Sequence, residues 1–385
     1  MLSNEVLFFA GFIVFVVGML ALDLGVFSKK DHVVKFKEAA AWSAVWVLFA
    51  LGFYVLLDRQ GHLIHGIENY QQLQAVVDTY MRGKLVLYPD DFERSLATYC
   101  NTLSLEFITG YLLEYSLSVD NIFVIIMIFT SFGVREKFYK KVLFWGILGA
   151  IVMRFVFIFA GAALIHHFSW IMYLFGCFLI YTGIKMFSER KQEEEIDPSK
   201  HPVVKFAAKY FRVYPRYVGN RFFVKRRKGH WHITPLFVVV MIIEFTDLIF
   251  AVDSVPAVFS VTQDPYVVFF SNIFAILGLR SMFFFLSNII HIFHYLKVGL
   301  SFLLSFIGFK MIAHQWLTEW GFKTVHSLYI ILAILGISII ASLLFPVKEK
   351  ILPSNNNSST HEHSLEENIE QNLEQVKEEL IKRLN

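Results

Sequence analysis

Apolar residues in this chain come in long unbroken runs, not at the three-and-four spacing of a helix with one dry face. Nine runs are long enough, or nearly so, to cross a hydrocarbon core, which takes about 20 helical residues. They lie at 6–27, 39–57, 103–130, 142–165, 168–187, 234–260, 266–290, 295–313 and 325–345. Helices that are apolar all round belong in lipid or in a large protein core. The pattern therefore predicts an all-α polytopic membrane protein with about nine transmembrane helices. The first run is not read as a cleaved signal, since no basic residue precedes it and Asp23 interrupts its end.

Between the runs the pattern changes. Residues 58–101 are mixed in charge, with short helices expected around 70–80 and 92–98. Residues 188–233 carry twelve Lys/Arg against five Asp/Glu and end in a predicted β-hairpin turning at Lys228-Gly229. After Pro353 a polar linker (354–360) leads to Leu365, Ile369, Leu373, Val376, Leu380 and Leu384, recurring at steps of three or four. That is an amphipathic helix with an acidic opposite face. It suits a cytoplasmic protein partner or self-association through 365–384 better than lipid, because the polar face is not basic.

Composition agrees: 385 residues, 56% hydrophobic and 17% charged, place the chain with multi-pass membrane proteins. The net charge of +3 matters less than where it lies. Basic residues crowd 29–37, 135–141, 190–228 and 348–350, and with nine spans all four clusters fall on one side. By the positive-inside rule that side is cytoplasmic, the N-terminus outside and the C-terminus inside. A basic loop beside the inner leaflet reads as a surface for anionic lipid, and no nucleic-acid partner is expected. Cys100 and Cys177 form no CxxC and no disulfide framework.

Candidate chemistry sits inside the runs. Glu114-Tyr-Ser-Leu-Ser-Val-Asp120-Asn121 and Glu244-Phe-Thr-Asp247-Leu-Ile-Phe-Ala-Val-Asp253-Ser254 align Asp120 with Asp253 and Glu114 with Asp247. A charged side chain at bilayer depth costs about 2.5–3.5 kcal/mol on insertion scales. Five carboxylates in two matching places read as the halves of one cation site. Oxygen ligands suit Mn²⁺, Mg²⁺ or Ca²⁺, with Asn121 and Ser254 as neutral donors. Side chains six apart on a straight helix diverge by about 120°, so Asp247 and Asp253 cannot chelate one ion from an unbroken helix. Pro256 predicts a kink beside Asp253. The acids need protons, a metal or basic partners to neutralise them. Arg154 and Arg280 are candidate counter-charges, with Asp23, Asn272 and Lys310 as supporting positions. Glu106 is expected at the interface and Lys185 to snorkel. The alternative is that Glu114, Asp247 and the arginines form ion pairs that only lock helices together. No phosphate loop, nucleophile elbow or HExxH motif appears, so no enzyme activity is expected.

The spacing also predicts a repeat. Ile147-Leu148-Gly149 matches Ile276-Leu277-Gly278, and Gly183-Ile184-Lys185-Met186 matches Gly308-Phe309-Lys310-Met311. Three spans per half invert the second half in the membrane, an inverted 3+3 repeat with the ion site between the halves. The predicted organisation is two peripheral spans (1–57), an outer loop (58–101) and the first repeat (102–187). A basic loop (188–233), the second repeat (234–316), a ninth span (323–345) and the tail (346–385) follow.

These segments resemble the TerC family, which includes Alx-like proteins. The resemblance rests on Ala21-Leu-Asp-Leu-Gly-Val-Phe27, Ala40-Ala-Trp-Ser-Ala44, the segment 114–121 and Glu244-Phe-Thr-Asp-Leu-Ile-Phe-Ala-Val-Asp-Ser-Val-Pro256. Thr262-Gln-Asp-Pro265, Ser271-Asn-Ile-Phe-Ala-Ile-Leu-Gly-Leu-Arg280 and Phe293-His-Tyr-Leu-Lys297 extend it. It implies a bacterial inner-membrane protein related to the LysE-type exporters, associated with manganese efflux and with tellurium resistance. It further implies that Glu114, Asp120, Glu244, Asp247 and Asp253 serve metal transport. Tellurite is an anion that an acidic site should repel, so a tellurite phenotype reads as indirect. The leading expectation is an exporter of divalent cations, most simply Mn²⁺, by proton-coupled alternating access, with the cation as substrate and no permanent cofactor. The alternative is a non-transporting membrane scaffold or assembly factor in metal or tellurite stress.

Overall fold

The computed structural model describes residues 4–28, 36–81, 85–168, 170–189, 201–225, 230–289 and 295–345. Each of the nine apolar runs coincides with a helix or a bent helix pair. In order these are α1 (Asn4–Ser28), α2 (Phe36–Gln60), α3 (Tyr70–Tyr80), α4 (Phe92–Ser131), α5 (Glu136–His167) and α6 (Ile171–Ser188). After the basic loop come α7 (Pro202–Tyr210), β1 (Phe223–Lys225), β2 (Trp231–Ile233), α8 (Pro235–Phe259) and α9 (Pro265–Leu277). The last are α10 (Leu279–Ser287), α11 (Leu296–Ile312), α12 (His314–Glu319) and α13 (Thr324–Leu344).

Among the described residues six helices are long and apolar enough to span a bilayer, or seven if α9 and α10 form one span. The expected count of nine is not confirmed: among the described residues α1 contributes only Val6–Ala21, and α11 has 17 residues. Large apolar side chains on α1, α2, α5, α6 and α13 stay exposed, Val14, Leu48, Val152, Tyr181 and Leu344 among them. A continuous apolar surface of this kind fits lipid and not water. The predicted tail helix 365–384 and the turn at Lys228-Gly229 lie outside the described residues.

Two elements differ from expectation. No separate helix ends near residue 98: Phe92 opens the 40-residue α4, with the Asp91 carboxylate accepting from the Arg94 N–H at 2.9 Å. No Gly or Pro follows until Gly110, so the helix runs on into the third span. Helix α8 also continues unbroken through Pro256. The proline lies in the last turn, where its missing N–H leaves little helix to tilt. The bend falls instead at Gly278, where α9 and α10 meet at 42°.

The core is built on glycines and aromatics. Phe12 of α1 meets Phe270 of α9 with ring centroids 4.3 Å apart, and Phe53 of α2 meets Phe274 at 4.9 Å. Helices α6 and α11 pack at backbone distance. A side chain at Gly183 would strike Ser301 and Ser305 of α11, and one at Gly308 would strike Gly176 and Ile180 of α6. Small residues permit such an approach in lipid. A shift of 125 residues exchanges these two sets of contacts. The pair is antiparallel, and its reciprocity is that of a local two-fold axis. In keeping with it, α5 packs on α8 while α9 packs on α4.

Each end of the bundle is tied down. At one, Nε2 of His65 lies 2.8 Å from Oδ2 of Asp264, both side chains 1% exposed. Asp264 also caps α9 through the Tyr266 N–H at 2.9 Å. At the other, the predicted hairpin is present, with Val224 opposite His232, and Lys141 donates to the Asn220 carbonyl. The Tyr217 hydroxyl donates to the Phe132 carbonyl at 2.7 Å, just past the end of α4. Burial holds that phenol above its ordinary value, so it remains a donor at neutral pH. The stability it lends is complete below the ordinary phenol value of about 10 and fades only as pH climbs through the raised one. Tyr217→Phe is expected to lower stability by about 1 kcal/mol, read as a lower melting temperature in detergent.

Candidate functional site

The two acidic segments face each other across the middle of the bundle, Glu114 on α4 and Asp247 on α8. Between them lies Arg154 of α5, whose side chain is 1% exposed. Its Nη1 donates to Glu114 Oε1, to Asn272 Oδ1 at 2.6 Å and to Ser254 Oγ at 3.4 Å. Its Nη2 donates to Asp247 Oδ1 at 3.4 Å. The planar guanidinium thus joins α4, α5, α8 and α9. Its fork suits this task in a way a lysine ammonium does not. Away from water the attraction is strong, and so is the penalty for a missing partner.

The remaining acids stand apart from this junction. Asp253 accepts from the Thr182 hydroxyl of α6 at 3.2 Å, with Asp120 and Lys185 within electrostatic reach. Lys185, expected to snorkel, is exposed yet faces this acid. Glu244 acts electrostatically on Asp247 and lies against Gly149 of α5, where any Cβ would overlap its carboxylate. Asn121 and Thr246 line a cavity of about 30 Å³ beside Asp247, closed otherwise mainly by apolar groups such as Ile125, Ile147 and Phe250.

The five carboxylates therefore do not share one centre. Among the described residues no three His, Cys, Asp or Glu side chains converge as metal ligands. The six-residue spacing is the cause: it turns Asp120 and Asp253 away from the Glu114–Asp247 level. Of the supporting positions, Arg154 and Asn272 join the junction. Arg280 is buried on α10, and Lys310 lies half-buried on α11. Asp23 falls on α1, its side chain outside the described residues. Glu106, expected at the interface, is 0% exposed. Two participants were not foreseen. Thr246 lies inside the acidic segment itself, and Thr182 immediately precedes the repeated glycine Gly183, so both had a local signal.

The integral membrane protein TerC family matches residues 100–350. The chain is 43% identical over 335 residues to a membrane protein of Myxococcus xanthus, STKORF319, covering 87% of this chain and 91% of that one. It is 41% identical over 307 residues to a protein of Escherichia coli K12 whose name, Alx, proposes a membrane-bound redox modulator, covering 80% and 85%. A membrane protein of Rickettsia bellii is 36% identical over 333 residues, covering 86% and 96%. No solved structure matches the chain. With a matching region that holds both acidic segments and Arg154, this chain belongs to the TerC family of integral membrane proteins.

Proposed function

We propose that the protein is an exporter of divalent metal cations, with Mn²⁺ the leading substrate, working by alternating access. One observation carries the reading: aligned carboxylates from two matching segments, Glu114 and Asp247, converge mid-span on a single buried positive charge. A place built to hold a cation against the cost of burial is what a cation carrier needs. All-oxygen donors favour a hard cation over copper. The antiparallel, reciprocal packing of α6 on α11 supports two inverted halves that rock about the site. Acids outside the junction, Asp120, Glu244 and Asp253, supply further ligands or proton carriers along the path. In the bacterial cell the protein would sit in the inner membrane with its basic loop on the cytoplasmic side. A redox effect of the kind the Alx name proposes would be secondary to a changed metal level. Cys100 is buried and Cys177 exposed on separate helices, both as free thiols.

The test is Mn²⁺ flux into proteoliposomes holding the purified chain, with and without a pH gradient, beside Asp253→Asn. Flux that responds to the gradient and falls at least tenfold in the variant, about 1.4 kcal/mol or more of lost function, is the expected result. Wild-type flux in a folded Asp253→Asn protein removes that residue from the path. A chain that carries no divalent cation leaves the scaffold reading, in which removal of residues beyond Pro353 should abolish recruitment.

A further inference from the structure

Arg154 stands where a transported cation would have to be neutralised. Arg154, Glu114 and Asn272 are each 0% exposed, and Ser254 is 2% exposed. Glu114 Oε2, Asp247 Oδ2 and Arg154 Nε are buried at this junction without a hydrogen-bond partner. On its other side Asp247 lines the cavity shared with Asn121 and Thr246. About 30 Å³ admits a water molecule or a small cation. One carboxylate thus faces a fixed cation on one side and a polar seat on the other. A guanidinium keeps its proton at any physiological pH. It can leave the carboxylates only by moving.

We infer that Arg154 is a tethered counter-cation that alternates with the cargo. Without cargo its guanidinium offsets one of the two negative charges of Glu114 and Asp247. A divalent cation seated among Asn121, Thr246 and Asp247 displaces it from Asp247, because two cations sharing one carboxylate in a medium of low dielectric repel. When the cargo leaves, Arg154 returns, and the unloaded site enters the reset step with one uncompensated negative charge where it would otherwise have two. In the second half the Gly149–Gly278 alignment puts Phe283 opposite Arg154. This inference rests on the cation-carrier reading of the same site and adds how its unloaded state is stabilised.

The test compares net Mn²⁺ flux with Mn²⁺–Mn²⁺ exchange in proteoliposomes carrying the full chain, wild type and Arg154→Gln. Exchange cycles only the loaded carrier, whereas net flux requires the unloaded reset. Arg154→Gln is expected to lose net flux by about tenfold or more, to keep exchange within about threefold, and to bind Mn²⁺ more tightly. Equal loss of both fluxes from folded protein, or loss of neither, overturns the inference and leaves Arg154 a helix lock. If Arg154→Gln does not fold, Arg154→Lys decides. A lysine reaches one carboxylate at a time, so a lower ratio of net flux to exchange with tighter Mn²⁺ binding supports the tether. An unchanged ratio and affinity overturn it. If the wild type binds and carries no divalent cation, the carrier reading falls and the tether falls with it.

Discussion

Glu114→Gln should destabilise the protein by about 3–5 kcal/mol and abolish metal flux. The change preserves shape and removes one charge, leaving the Arg154 guanidinium buried with only the longer contact to Asp247, at 3.4 Å, as a charged partner. Most of the loss is the cost of an under-compensated cation. It follows that Glu114→Gln combined with Arg154→Met and Asp247→Asn, which removes all three charges, should regain most of the stability while flux stays absent. Thermal unfolding in detergent, set beside flux in proteoliposomes, measures both. Little change in melting temperature for the single variant would mean that Arg154 is solvated and the junction is not a dry site. The triple variant separates ion pairs that hold helices together from ones that handle cargo, because only the first role is dispensable once all three charges are gone.

Two glycine substitutions should rank in opposite orders for stability and for transport. Gly308→Ala places a methyl group against the backbone carbonyl of Gly176, which cannot swing away. Forcing α6 from α11 is expected to cost about 1–3 kcal/mol, as overpacking does. At Gly149 the neighbour is the carboxylate of Glu244, the end of a flexible side chain that can turn aside. Gly149→Ala should therefore unfold less readily, yet disturb flux more, since the displaced acid acts electrostatically on Asp247. Melting temperatures and Mn²⁺ uptake for the two variants decide it. The same ranking in both assays would show that Glu244 takes no part in transport.

Much of this architecture is legible before any coordinates. Runs of apolar residues mark the helices because lipid demands them, whereas the close approach at Gly149, Gly176, Gly183 and Gly308 is a finding of the structure, since along the chain Gly149, Gly183 and Gly308 show only as parts of a repeat. Carboxylates inside such runs announce the site, since their insertion cost must be met by a partner. The partner itself is a tertiary fact. Arg154 and Arg280 both lie inside apolar runs, and nothing along the chain says that Arg154 joins the carboxylate junction while Arg280 lies beyond the bend. Nor does local pattern separate Glu114 and Asp247, which meet at Arg154, from Asp120 and Asp253, which lie apart from it, until helical rotation is combined with the way α4 crosses α8. The proline signal misled for a related reason: how far a helix bends depends on how much helix follows the break, and only the last residues of α8 follow Pro256.

The length of α4 has a mechanical consequence. Forty residues of continuous helix extend about 60 Å, twice a hydrocarbon core of about 30 Å. Glu114 sits near the middle of that rod. Its N-terminal end is capped by Asp91 beside the loop that His65 ties to α9, and past its C-terminal end Tyr217 grips the Phe132 carbonyl. In the proposed carrier cycle the rod would act as a lever with its fulcrum at the carboxylate. A tilt of about 10° about that point would swing each tip by about 5 Å in opposite directions. A small rearrangement around one guanidinium would thereby be magnified into opening at one membrane face and closure at the other.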